Sequence, residues 1–152
     1  MLEKIEESYG MISDANIAAL ESRLGLVLPD GYRRFLLRNN GGAPVPDAFD
    51  VPGWHHVNSR VARFYGIHAG PHSNLEKDCA FFAERLPPAI IPIADDQGGN
   101  IICLGIEGKR RGKIYFWDHE DEFDEHGEGR QDYGNVYFLA NSIDEFLRQL
   151  RE

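Results

Sequence analysis

Ile90 to Glu120 reads IIPIADDQGGNIICLGIEGKRRGKIYFWDHE, three short runs rich in Ile, Tyr, Phe and Trp separated by Asp/Gln/Gly and Glu/Gly/Lys/Arg turns. That pattern predicts a three-stranded antiparallel meander. In Ile90–Ala94, Ile101–Leu104 and Ile114–Trp117 the odd and even positions are both apolar. Successive strand residues point to opposite faces, so both faces of this meander must be covered by other parts of the chain.

Outward from it, helices are expected on either side. Ser13 is a candidate N-cap, Ile17, Leu20 and Leu24 recur at helical spacing, and Gly25 offers a stop, which gives a helix over Asp14–Leu24. Pro29 suits the first turn of a second helix whose inner stripe is Tyr32, Phe35 and Leu36, with Arg33, Arg34 and Arg38 on a solvated face and Asn40-Gly41-Gly42 as its C-terminal stop. Ala43 to Pro71 is broken by Pro44, Pro46, Pro52 and Gly53, leaving room for short strands at Phe49–Val51 and Arg63–Ile67. Asn74 caps a third helix bearing Leu75, Cys79, Phe82 and Leu86, ended by Pro87-Pro88. Val136–Ala140 reads as one more strand, and Ser142 with Glu145 forms a capping box for a last helix that buries Ile143, Phe146, Leu147 and Leu150. Helices lead, strands dominate the middle and a helix closes, so the class is α+β with a mainly antiparallel sheet. Residues 1–152 have the length of one domain, with no repeat and no linker.

Composition narrows the function classes. With 42% hydrophobic and 27% charged residues the chain is neither disordered nor membrane-embedded, and its longest apolar runs are only a few residues. Met1–Glu7 places acidic residues where a secretory signal needs basic ones, so the expected compartment is the cytoplasm. Cys79 and Cys103 lack C-x-x-C spacing and read as small buried hydrophobes. The formal charge is −9, of which the stretch Asp118–Asp132 carries −7: eight carboxylates (Asp118, Glu120, Asp121, Glu122, Asp124, Glu125, Glu128, Asp132) against Arg130. Such a loop attracts a basic partner and repels nucleic acid and anionic lipid.

Catalytic and metal chemistry find little support in the residues. Asp95 and Asp96 are adjacent carboxylates in the first meander turn, where Asp serves as an ordinary turn former. The Asp118/Glu120/Glu122 spacing resembles the start of a calcium loop, but Phe123 occupies the position that requires Gly. Phe123 also stands where a His119-Glu120 zinc-protease helix needs its second His. His55, His56, His68 and His72 read as surface or turn histidines, with Gly70-Pro71 breaking any helix between the last two. Phosphate loops and nucleophile elbows are absent, and Lys109, Arg110, Arg111 and Lys113 form only a hairpin-sized basic patch. The expectation is therefore a non-enzyme without metal or cofactor. Trp117 ends a buried strand one residue before the charged loop, so the first carboxylates stand on a rigid strand end, where docking loses less entropy.

Four groups of residues together resemble one known family. Leu28-Pro29, Tyr32, Phe35-Leu36 and Asn40-Gly41-Gly42 are similar to the LPxxYxxFLxxxNGG helix of the SUKH superfamily, whose best-known branch is the Smi/Knr-type family of cell-wall assembly regulators. Pro92-Ile93-Ala94, Asp96, Gly98-Gly99-Asn100 and Leu104 resemble its PIAxDxxGN hairpin. Gly112, Tyr115 and Trp117-Asp118-His119-Glu120 resemble its GxVYxWDHE strand, with Ile114 in place of Val. Leu139-Ala140, Ser142, Phe146-Leu147 and Leu150 are similar to its closing helix. The resemblance implies a non-enzymatic α+β binding domain. Bacterial members are often immunity proteins that bind a cognate polymorphic toxin, frequently a nuclease, and fungal relatives are regulatory scaffolds. It makes Pro29, Tyr32, Asn40, Gly41, Asp96, Gly99, Asn100 and Trp117 structural motif residues. The expected partner is a basic toxin domain, met by Asp118, His119, Glu120, Asp121, Glu122, Asp124 and Glu125. The alternative is a regulatory module that binds a host protein or a small ligand.

Overall fold

A computed structural model describes residues 1–152. In chain order the elements are β1 (Lys4–Glu6), α1 (Asp14–Leu24), α2 (Asp30–Arg38), β2 (Ala43–Val45), β3 (Ala48–Asp50), β4 (Asn58–Phe64), α3 (Leu75–Phe82), β5 (Ile90–Asp96), β6 (Ile101–Gly105), β7 (Ile114–Trp117), β8 (Val136–Ala140) and α4 (Ile143–Gln149). Strands β3 to β8 form one six-stranded antiparallel sheet in sequential order, and β1 pairs with β2 in a separate antiparallel ribbon. The fold is α+β, as the sequence predicts.

The central meander is covered on both sides. Every residue of β6 and β7 is buried. Ile102, Leu104, Ile114 and Phe116 face one way, into a core shared with Ile17 and Leu20 of α1, Tyr32, Phe35 and Leu36 of α2, and Phe146 of α4. Ile101, Cys103, Tyr115 and Trp117 face the other way, into a smaller cluster with Phe82 and Leu86. The period-2 geometry of a strand makes this division unavoidable, and the second cluster explains why neither face could be polar. Helix α3 serves both sides, with Leu75 and Cys79 in the first cluster and Phe82 in the second.

Several expectations shift. Pro29 is the N-cap of α2 rather than its first helical residue. The second of the two short strands runs over Asn58–Phe64, not Arg63–Ile67, and α3 stops at Phe82, five residues before Pro87. Ser142 caps α4 by accepting from the Glu145 N–H, but the Glu145 carboxylate takes the N–H of Asn141, so the capping box is not reciprocal. A reciprocal box forms instead at Ser13 and Asn16.

Asn40-Gly41-Gly42 is more than a helix stop. Helix α2 ends with Asn39 as C-cap in an extended conformation. Asn40, 3% exposed, donates from Nδ2 to the carbonyls of Gly10 and Ile67 and accepts the Ile67 N–H at 2.7 Å. Gly41 and Gly42 sit at φ +71° and +121°, where added Cβ atoms would fall 2.9 Å from the Phe64 carbonyl and 2.5 Å from that of Glu6. Only glycine permits three backbone segments to cross this closely. The ribbon made by β1 and β2, which the sequence reading missed, closes over that crossing.

Candidate functional site

The candidate site is the end of the sheet where β5 turns into β6 and β7 runs out. Asp96, 7% exposed, accepts at Oδ1 from the N–H groups of Gly98 (2.9 Å) and Asn100 (2.8 Å). Its Oδ2 accepts from Asn100 Nδ2 at 2.8 Å and from the Ser59 hydroxyl at 2.7 Å. Asn100 then accepts the His119 N–H at 3.1 Å, which carries the network to the end of β7. There Asp118, 3% exposed, accepts from Trp54 Nε1 at 3.0 Å and caps the following 3-10 turn through the Glu120 N–H at 3.0 Å. Asn135 closes the set by donating from Nδ2 to the Asp118 carbonyl and accepting the Asp118 N–H. Gly99, at φ +91°, lies under the His119 ring, which a Cβ would meet at 3.3 Å. Asp96, Asn100, Asp118 and the His119 backbone thus form one hydrogen-bonded strand end, with Gly99 packed under His119 and the Trp117 ring held in the smaller apolar cluster. Pro29, Tyr32, Asn40 and Gly41 do not join it; they organise α2 and the crossing below it.

Beyond this frame the carboxylates divide by burial. Glu120, Asp121, Glu125, Glu128 and Asp132 are exposed, and His119 and Asp124 are half-buried. Asp124 organises the loop tip, accepting at Oδ1 from the N–H groups of His126 (2.8 Å) and Glu128 (2.9 Å). The sequence places Asp118 and Glu122 among the partner-facing carboxylates, yet both are buried and engaged internally. Glu122 takes a bidentate pair from Arg85 at 2.6 and 2.9 Å. Arg85 in turn lies over the rings of Phe82 and Trp117, 4.8 and 5.5 Å from their centroids, and fixes the loop to the smaller core. The bond with Glu122 raises the Arg85 pKa further. Arg130 sits between Asp121 (3.8 Å) and Asp132 (4.0 Å), which lowers the net field less than full pairing would.

Asp95 does not belong to the turn. It is a strand residue on the other side of the chain from Asp96, and its Oδ2 accepts the Tyr65 hydroxyl at 3.3 Å. Burial above all, with the nearby charges of Asp78 and Asp96, pushes its pKa up to about 6, against the opposing pull of the Tyr65 bond. The same burial, reinforced by Asp95, raises the Tyr65 phenol. The basic hairpin is also engaged at home: Arg110 stacks on Tyr133 and Arg111 donates to the carbonyls of Val27 and Ile106.

The profile of the SMI1 / KNR4 family (SUKH-1) matches residues 11–149, nearly the whole chain. The chain belongs to the SUKH-1 family. A SPbeta prophage-derived uncharacterized protein of Bacillus subtilis (strain 168), YokK, is 40% identical to it over 154 residues, covering 91% of this chain and 74% of YokK. Trp54, Ser59 and Arg85 escaped the sequence reading because each lies far along the chain from its partner. Trp54 had one available signal: a buried Trp usually places its indole N–H on an acceptor, and a carboxylate at a strand end is a good one. No helix is long and apolar enough to cross a membrane.

Proposed function

We propose that this SUKH-1 chain is an immunity-type protein that binds a cognate toxin domain and neutralises it without catalysis. Family membership supports a binding domain of the immunity or SMI1/KNR4 type. The observation that carries the finer reading is the division of charge at the sheet end: buried Asp96, Asn100 and Asp118 fix the turn that bears exposed Glu120 and Asp121, and Asp124 orders the loop tip that bears exposed Glu125 and Glu128. A rigidly mounted edge of one sign speeds capture of a basic surface and loses little entropy on docking. Phe123, 58% exposed within this loop, supplies an apolar anchor of the kind that dominates interface energies.

Growth under co-expression tests the proposal. The chain is expected to restore growth to cells producing the C-terminal toxin domain of the gene directly upstream, and to bind that domain one to one when purified. Persistent growth arrest despite full expression of the chain would overturn it.

A further inference from the structure

Beside the acidic edge, two histidines that the sequence reading assigned to a plain surface turn meet a carboxylate from a distant part of the chain. His55, His56 and Glu120 place one side-chain ligand atom each within 4.8 Å of one another. We propose that these three residues form a binding site for a zinc-class divalent metal ion.

The local backbone explains the meeting. Residues Trp54 to Val57 make a tight turn closed by the Val57 N–H to the Trp54 carbonyl at 3.0 Å, so His55 and His56 occupy its two central positions. Their rings stand 3.9 Å apart between centroids. Val57 is held at φ +61°, a conformation that costs a β-branched residue on the order of 1–3 kcal/mol, and its side chain is exposed rather than packed. The backbone bonds of Val57 to Trp54 and Val51 hold it there, and the turn they close sets His55 and His56 side by side.

The opposite side is set by the same buried aspartate. Asp118 holds Trp54 through Oδ2 and the Glu120 N–H through Oδ1, so the turn with the imidazoles and the turn with the carboxylate hang from one side chain. Arg60, which lines the same cleft, is neutralised by Asp47 at 2.6 Å.

The donor set selects the ion. Two imidazoles and one carboxylate suit zinc, nickel or copper, whereas calcium and magnesium prefer oxygen ligands. Metal–ligand bonds of about 2.0–2.2 Å place ligand atoms roughly 3.3–3.5 Å apart in a tetrahedron. All three side chains are exposed, with their ligand atoms already within 4.8 Å of one another. Three protein ligands leave a fourth position open toward solvent. The bound ion would join the Trp54–Val57 turn to the 3-10 turn after β7 and add positive charge at one corner of the acidic edge. This inference does not depend on the identity of any protein partner.

The test is calorimetric titration of the untagged, chelator-treated protein with zinc sulfate, and in parallel with calcium chloride. One equivalent of zinc is expected to bind with a micromolar dissociation constant, and calcium to give no saturable heat. His55→Ala and His56→Ala should each weaken zinc binding at least tenfold and Glu120→Gln about tenfold, with unchanged urea midpoints because the positions are exposed. His72→Ala and His126→Ala should leave it unaltered. Nickel should quench Trp54 fluorescence with the same stoichiometry. No saturable zinc binding at millimolar concentration overturns the proposal, and so does undiminished binding by the His55→Ala/His56→Ala double variant.

Discussion

Asp96 and Asp118, at 7% and 3% exposure, each satisfy several donors at the closed end of the sheet, whereas the side chains of Glu125 and Asp132, at 86% and 72%, stand in solvent on the loop that follows. The residue type is the same and the role is opposite. At the strand end a carboxylate fixes backbone turns and the Trp54 ring; along the loop it leaves its charge in solvent, where the proposed function puts it to use. The difference lies in the number of protein donors each one meets, because a buried carboxylate is tolerated only when hydrogen-bonded, and an exposed one contributes almost nothing to folding. An acidic loop is therefore a mixture, and only its exposed members are free for recognition.

The comparison breaks first at the framework. Asp96→Ala and Asp118→Ala should each lower unfolding free energy by about 3 kcal/mol or more, since each leaves at least two inward-facing donors without a partner at about 1–3 kcal/mol apiece. Urea denaturation measures this, and a loss under about 1 kcal/mol for both would remove them from the frame. Arg85→Ala comes next, at about 2 kcal/mol, because it strands the Glu122 carboxylate and uncovers Trp117 while solvent partly compensates. Its loop amides from Glu122 to Asp132 should also exchange hydrogen faster.

A smaller effect comes from Asp95. Its folded pKa of about 6 lies above its ordinary value near 4, so the native state holds the proton more tightly than the unfolded chain does. Its contribution to stability is thus full below about pH 4 and is lost as pH rises through 6. Asp95→Asn, which still accepts from Tyr65, should escape this loss, gaining on the parent by about 1 kcal/mol between pH 4 and pH 7 after allowance for solvent screening. Urea midpoints across that range decide it, and parallel curves would show that Asp95 keeps an ordinary pKa.

Much of the framework was legible in the sequence and its polar wiring was not. The doubly apolar runs of Ile101–Leu104 and Ile114–Trp117 predicted a meander covered on both faces, and the alternate burial of Ile102 and Cys103 in separate clusters bears this out. Helix α1 could be placed to the residue because Ser13 and Gly25 are local signals that act within one turn. β1 and β2 were missed because three-residue strands leave no periodicity, and their pairing spans about forty residues. Among the carboxylates from Asp118 to Asp132, nothing local separates Asp118 and Glu122 from their neighbours. Burial there is decided by Trp54 and Arg85, side chains brought in by the fold from other segments. The same holds for His55 and His56, whose counterpart Glu120 is remote in sequence.

At the exposed end of the comparison the smallest stability effect should accompany the largest effect on binding. The triple variant Asp121→Asn/Glu125→Gln/Glu128→Gln neutralises surface carboxylates only and should change unfolding free energy by less than about 0.5 kcal/mol. Its association with the toxin domain proposed as partner, followed by stopped flow from low to high ionic strength, tests the account most directly. The rate constant should fall about tenfold at low salt and its salt dependence should flatten, because these charges steer the encounter. An association rate and salt slope equal to those of the parent chain would contradict the assignment of this edge to recognition.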